Sequence, residues 1–310
     1  MGIGKGGFGK VWIVEHRQTK KYFALKEMSK AKIISKRSVN SVLNERALLA
    51  SYQHMFIVNM KFAFQDRENL YLVMDLLTGG DLRFHICFHR KFSEEQSKFF
   101  VACIVQGLEY IHNNSILHRD IKPENLVFEE SGYLRITDFG IARKWNPENA
   151  KETSGTPGYM APEVMCRQNH GIEVDYFALG VICYECMIGK RPYLGRSRKE
   201  IRDQILAKQV QIKIDDIPKG WSIEAADFIN RLIQRKPAKR LGTNGPAEVK
   251  NHPWLKNYDW SKLSRKEIEP PFRPNTRNVF DYAKHLSEED TDANGALETN
   301  VMLRRKSVQD

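Results

Sequence analysis

What the chain lacks narrows its class first. Cysteine is scarce and odd in number: the five at positions 87, 103, 166, 183 and 186 form no paired framework of the secreted kind, which excludes a disulfide-stapled domain and points to a reducing, cytoplasmic setting. Cys183-x-x-Cys186 falls inside an apolar helical pattern, where i and i+3 share a face, so these thiols read as core rather than as half a zinc site. Long apolar runs are also missing. The longest, Phe177 to Ile188, is about 12 residues and contains Glu185, whereas a bilayer requires ~20 helical residues. No membrane span or signal peptide is therefore expected. Met1-Gly2 opens like a myristoylation signal, but Gly6 stands where Ser or Thr is wanted. The chain is short of acid, with a net charge of +11, yet Lys and Arg are scattered rather than gathered in one tract. The densest run, Lys20 to Arg37, straddles a strand and a helix start, so nucleic-acid binding is not expected.

What is present divides into two halves. At 310 residues with 41% apolar content, the chain has more than one core usually holds, so two lobes and an extension are expected. The first half reads as strands: Val11–Val14, Tyr22–Leu25, Val58–Phe64 and Leu70–Leu76, interrupted by one helical pattern over Ser38–Ala50. Asp75–Thr78 reads as a hinge, after which Thr78-Gly79-Gly80-Asp81 breaks the strand pattern. The second half reads as helices. Ser93 and Gln96 make a capping box ahead of Phe99–His112, Asp175 opens the most apolar helix, and Ala225–Gln234 is amphipathic. Two short strands, Asn125–Phe128 and Tyr133–Thr137, flank the most chemically loaded stretch.

That stretch is Ile116–Val127, which packs an acid, two bases and an amide into eight residues, His118-Arg119-Asp120 through Asn125. Asp138-Phe139-Gly140 begins thirteen residues after Asn125. Phosphoryl transfer needs a carboxylate to orient an acceptor hydroxyl, oxygen ligands for magnesium and cations on phosphate. Asp120, the pair Asn125 and Asp138, and Lys122 fit those tasks in turn. Upstream, Gly4-Lys5-Gly6-Gly7-Phe8-Gly9-Lys10-Val11 would let backbone amides approach phosphate, Lys26 ends the strand Ala24-Leu25-Lys26, and Glu45 lies nineteen residues beyond it. A Lys26–Glu45 pair would hold the ammonium on phosphate.

Glycine loop, Lys26, Glu45, His118-Arg119-Asp120, Asn125, Asp138-Phe139-Gly140, Ala161-Pro162-Glu163, Asp175 and Arg240 together resemble a eukaryotic protein kinase over residues 4–258. Lys122 and Gly155-Thr156-Pro157-x-Tyr159 are similar to the serine/threonine class. Asn44 to Leu49, Leu76 to Leu82 and Pro270-Pro271-Phe272 resemble the AGC group, and Leu-Leu-x-Gly-Gly-Asp-Leu-Arg its YANK branch.

The resemblance implies an α+β bilobal kinase fold, with a small β-rich N-lobe over 1–77, a larger helical C-lobe over 78–258 and a partly disordered tail over 259–310. It implies Mg2+ and ATP as cofactors, protein substrates and an upstream kinase as candidate partners, and a monomer. Gly4, Gly6, Gly9, Val11, Ala24, Lys26, Met74 as gatekeeper, Asp75, Asp81 and Val127 would surround the nucleotide. Asp120, Lys122, Lys26, Glu45 and Thr156 would serve catalysis, with Thr156 bridging Asp120 and Lys122. Leu49, Met60, His118 and Phe139 would stack as a spine, and Arg240 would anchor Glu163. Asp81, Glu124 and Glu185 match positions that take arginine upstream of the acceptor in basophilic relatives, so a basic preference is expected, softened by Gly158.

Three departures matter. Only Met1–Ile3 precede Gly4, so the first strand is expected to be cut short and the phosphate lid frayed. Glu152 stands where many relatives carry a phosphorylated Thr, and it is expected to face Arg119 and Arg143, with Thr153 as an alternative phosphosite. No F-x-x-F motif is found near the C-terminus. A pseudokinase scaffold is the rival reading, disfavoured because Lys26, Glu45, Asp120, Asn125 and Asp138 are all present. Asp290 to Glu298 opens like a calcium loop, but Val301 occupies its twelfth position, and an acidic disordered tail reads better. Arg304-Arg305-Lys306-Ser307 would suit autophosphorylation at Ser307.

Overall fold

The computed structural model describes residues 2–275. The calcium-like stretch and the Ser307 site lie outside the described residues. The N-terminal part is an antiparallel sheet of order β1-β2-β3-β5-β4, built from β1 (Gly2–Gly6), β2 (Gly9–Glu15), β3 (Tyr22–Ser29), β4 (Met60–Gln65) and β5 (Asn69–Asp75). Helices α1 (Lys30–Ser35) and α2 (Val39–Ser51) interrupt it, and α2 turns Val42, Glu45, Leu48 and Leu49 inward at helical spacing.

The lid strand expected to fray is paired. Gly4, Lys5 and Gly6 lie opposite Val11, Lys10 and Gly9, with an irregularity between Gly2 and Gly4. Pairing uses backbone groups only, and the tight Gly7-Phe8 turn brings the two strands together without a long loop to close. Gly9 is required for a reason unrelated to ligand: a Cβ there would lie 1.8 Å from the Glu27 carbonyl oxygen of β3.

Beyond the hinge come α3 (Leu82–His89) and α4 (Glu94–Asn113), the latter with the expected capping box of Ser93 and Gln96. Two small ribbons follow, β6 (Ile116–Leu117) pairing with β9 (Arg143–Lys144), and β7 (Leu126–Phe128) pairing with β8 (Leu134–Ile136). Asn125 belongs to a 3-10 turn, Pro123–Asn125, rather than to the strand after it, because Pro123 starts a helical turn and Asn125 bonds back to Asp120. The chain continues through α5 (Pro162–Met165), α6 (Glu173–Ile188), α7 (Arg198–Ala207), α8 (Ile223–Leu232), α9 (Pro246–Lys250) and α10 (Trp260–Ser264). Helix α6 is buried along nearly its whole length, packs on α4 and α8, and ends on Gly189 in the left-handed region at φ 86°. Gly180 lets α8 approach, since a Cβ there would meet the Leu232 Cβ at 2.6 Å. Among the described residues no helix is long and apolar enough to cross a membrane.

The two parts are joined by more than the hinge. Ile136 accepts from the Val58 amide at 2.8 Å and donates to the Phe56 carbonyl at 2.9 Å, tying the approach to β4 onto β8. The segment after α10 returns to the same place. Phe272 sits edge-on among His85, His89, Phe92 and Phe100 and tilted on Phe128, while Tyr133 donates to the Ile268 carbonyl at 2.6 Å.

The expected Arg240–Glu163 pair forms and is buried. It is a two-bond fork, 2.6 and 2.9 Å, with both side chains all but inaccessible. Arg240 also donates to the Gln234 and Glu173 carbonyls and lies 5.0 Å from the Phe177 ring centre. Removing one partner of such a pair strands a desolvated charge, so Arg240→Ala should lower unfolding free energy by ~3–5 kcal/mol. Urea titration checks this, and a loss below ~1 kcal/mol would show that the pair is dispensable.

Candidate active site

The cleft is assembled from both lobes. From β3, Lys26 reaches Glu45 of α2 at 2.7 Å, with Glu45 buried. Burial alone would lower the Lys26 pKa, but the carboxylates of Glu45 and Asp138 outweigh it and hold the ammonium charged. Lys26 pairs with Val11 on one side and with Leu72 on the other, which fixes its place in the sheet. Ala24 is one pleat away, opposite Met74, and is buried; Val127 comes from β7 below, bridged to Asp81.

In the C-lobe, three donors converge on Asp120. Thr156 Oγ1 donates to its Oδ1 at 2.7 Å, Lys122 Nζ lies 2.7 Å from Oδ2, and Asn125 Nδ2 lies 3.2 Å from Oδ2. Lys122 also donates to Thr156 Oγ1 at 2.9 Å, closing a triangle that the sequence reading anticipated as a bridge. Gly155, at φ 134°, is needed for this approach, because a Cβ would lie 2.9 Å from the Arg119 carbonyl oxygen.

Beneath the loop, buried Asp175 accepts the amides of His118 and Arg119 at 2.9 and 2.8 Å and contacts His112 Nε2 at 2.9 Å. Burial would raise this carboxyl, yet these bonds hold it below the ordinary carboxylate range. His118 stacks edge-on with buried Phe139 at 5.1 Å, and Leu49 and Met60 lie in or against the same core, so the spine residues share one apolar body. Asn44 of α2 donates to the Ala142 carbonyl at 2.8 Å and so couples that helix to the chain after Asp138.

The oxygen donors fit a hard cation. Asp138 is exposed and held at φ 63°. It pairs with no cation among the described residues; its Oδ1 accepts only the Gly140 amide, at 3.2 Å.. Asn125 spends its NH2 on Asp120, leaving its carbonyl oxygen as a ligand. Two protein oxygens suit magnesium, which keeps waters and takes phosphate oxygens for the rest of its octahedron.

Two acids expected around the nucleotide have their carboxylates engaged by the protein. Asp75 binds Arg135 at 2.7 Å, Asn59 Nδ2 at 2.9 Å and Lys61 at 3.3 Å. Its side chain therefore braces the hinge. Asp81 is the N-cap of α3, accepting the Phe84 amide at 2.7 Å. The other two acids of the expected arginine site, Glu124 and Glu185, are bound by the chain's own Arg83. Arg83 escaped the sequence reading, although a cation in the first turn of a helix opposes the helix dipole and so hints at carboxylate partners elsewhere.

A family model for the protein kinase domain matches residues 1–255. A probable serine/threonine-protein kinase of Dictyostelium discoideum is 41% identical over 281 residues, covering 90% of this chain and 60% of its own length. Serine/threonine-protein kinase sgk-1 of Caenorhabditis elegans is 37% identical over 292 residues, covering 93% and 62%. Protein kinase 2 of Dictyostelium discoideum is 40% identical over 283 residues, covering 91% and 58%. The chain spans about three fifths of the length of these relatives.

Burial pushes the Asp81 carboxyl up to about 6, against the pull of its bond from Phe84. An unfolded aspartate ionises near ~3.9, so the folded state is relatively favoured below that pH and loses this advantage as pH climbs toward 6. Asp81→Asn keeps a cap acceptor without the titration. The variant's melting midpoint should gain on the parent's between pH 4 and 7, by a few degrees; a constant difference across that range would mean that Asp81 titrates normally. With Lys26–Glu45, the Asp120 triangle and the Asn125 and Asp138 oxygens at the positions its motif spacing demands, the chain belongs to the protein kinase domain family and resembles its AGC-like serine/threonine members.

Proposed function

We propose that the chain transfers a phosphoryl group from Mg-ATP to serine or threonine hydroxyls of protein substrates, acting as a monomer in the cytoplasm. The observation that carries this reading is Asp120, its carboxylate held by Thr156, Lys122 and Asn125. Asp120 orients the acceptor hydroxyl and takes its proton as the new bond forms. Lys122 and Thr156 keep that carboxylate in one rotamer, and Lys122 adds positive charge on the side where the transferred group arrives. Lys26, steadied by Glu45, presents its ammonium to the α- and β-phosphates. Asn125 and Asp138 hold the magnesium, which supplies neutralisation of the phosphate oxygens when bound. Gly4 and Gly6 of the lid offer backbone amides from above, and Val11, Ala24, Met74 and Val127 supply the apolar slot for the base.

The loop after Asp138 carries its own charge in place of a phosphate. Glu152 pairs with Arg119, whose side chain is buried and whose backbone is held by Asp175. Arg143, the second expected partner, instead reaches the Ala142 carbonyl at 2.8 Å and Ser41 Oγ at 3.5 Å. One carboxylate on one arginine orders the loop less firmly than a phosphate with ~2 charges and three acceptor oxygens would. Thr153 lies beside it, with its carbonyl bound by Arg198 at 3.0 Å.

Peptide phosphorylation by purified protein tests the main reading. Asp120→Asn, Lys26→Met and Asp138→Asn should each cut kcat by two to four decades, since each removes several kcal/mol of stabilisation aimed at the transferring group. Wild-type turnover in any of the three would overturn it. Separately, unphosphorylated protein should show basal activity that Glu152→Ala lowers about tenfold. Full inactivity relieved only by phosphate on Thr153 would contradict the role given to Glu152.

A further inference from the structure

The acidic pocket beside the catalytic loop is already filled by a guanidinium from its own chain. Arg83 Nη1 lies 2.7 Å from Glu185 Oε1 and Nη2 lies 3.2 Å from Oε2, a bidentate fork on a carboxylate that is 5% exposed. Its Nε donates to Glu124 Oε1 at 3.1 Å, and Nη2 also donates to the Tyr159 hydroxyl, which in turn donates to Glu185 Oε2 at 2.8 Å. Four contacts from one guanidinium leave little of its planar donor set unspent; they fork Glu185 and hold one oxygen of Glu124. Burial would depress the Arg83 pKa, but the hydrogen bonds and charge of Glu185 more than compensate and hold it fully protonated.

A second guanidinium approaches the same tyrosine. Arg191 lies 5.8 Å from the Tyr159 ring centre, and Arg83 lies 6.0 Å from it. Its Nη1 lies 2.6 Å from where a Cβ on Gly158 would sit, so the glycine at 158 both removes an acid and makes room for a cation. Arg191 has no ion pair among the described residues. Glu124 and Glu185 are thus both bound by Arg83, and the remaining acid, Asp81, is committed to capping α3.

We propose that Arg83 is a specificity-determining internal occupant of this pocket, taking the place that an upstream arginine of a substrate would fill, so that the enzyme accepts neutral or acidic residues there, with Arg191 offered to a carboxylate. This rests on the kinase reading above and reverses the basic preference that motif positions alone imply. An incoming arginine finds Glu185 already forked to a guanidinium and Glu124 already held by its Nε, and it meets Arg191 as a like charge.

A degenerate serine/threonine peptide library with purified wild-type protein and Mg-ATP reads the preference directly. Arginine at every upstream position should be favoured over alanine by less than about threefold, with Asp or Glu at least equal to alanine; selection for arginine beyond that overturns the proposal. Arg83→Ala should uncover Glu124 and Glu185 and raise selection for arginine upstream by about tenfold. Because that variant leaves Glu185 bare and can lose its fold, a second measurement uses no turnover at all. Millimolar ethylguanidinium should raise the melting midpoint of Arg83→Ala, while ethylammonium should do so less and neither should shift wild type. Rescue indistinguishable between the two cations overturns the proposal, and so does wild-type selection for arginine if the variant never folds. A library left unphosphorylated throughout sinks the kinase reading instead, with the cation rescue still deciding whether the pocket belongs to Arg83.

Discussion

The catalytic loop depends on one buried carboxylate. Asp175, at the start of the most apolar helix, accepts two consecutive backbone amides, from His118 and Arg119. A charge in that position is tolerable only because donors surround it, and the donors are the peptide groups that the site needs held still. Arg119 sits at φ 68°, a left-handed conformation that is disfavoured for an arginine and persists where neighbours over-determine it. From that backbone the Arg119 side chain runs to the Ile141 carbonyl at 2.9 Å and to Glu152. One carboxylate in the core thereby sets both the position of Asp120, next in the chain, and the anchor for the loop that Glu152 restrains.

The N-lobe joins this frame through α2. Glu45 holds Lys26 and Asn44 holds the Ala142 carbonyl, so neighbouring residues on one helix grip Lys26 and the chain after Asp138. Leu48 and Leu49 of the same helix lie in the apolar core that also holds Phe139, adding the apolar part of the link. A rotation of α2 would break polar and apolar contacts together, which is the condition for a two-state rather than a graded response.

The candidate site was legible in the sequence because its residues stand at fixed intervals on one loop: Asp120, Lys122 and Asn125 are local, and Asp138 follows after a short hairpin. The long periodic elements were legible too, down to the Ser93 and Gln96 box on α4. Elements of two to five residues, such as β6, β9, α5 and α10, were not, since they are shorter than the repeat that would reveal them. Arg83 was hidden for a different reason. Its partners Glu124 and Glu185 are 41 and 102 residues away, and a motif position reports that acids are there without reporting what already binds them. The same holds for Asp75 and Asp81, whose carboxylates were available on paper and are spent on Arg135 and the Phe84 amide in the fold.

That contrast sets Asp138, the carboxylate proposed to bind metal, apart from most acids of the site. Around the cleft, Glu45, Asp75, Asp81, Asp120, Glu124, Glu152 and Glu185 each have a cation or an amide as partner. Asp81 and Asp138 are the two in this group that meet only a backbone amide, and of these Asp138 is the exposed one, with its backbone held left-handed. A Cβ on Gly140 would crowd Asp138 Oδ1 at 3.1 Å, so the glycine that follows keeps the oxygen's surroundings open as well. The charge of Asp138 acts on Lys26 without pairing with it, and as an exposed carboxylate it stays hydrated, so its oxygens remain accessible. An accessible oxygen anion of this kind, with the Asn125 side-chain oxygen, would suit a hard divalent cation, the role proposed above for the pair.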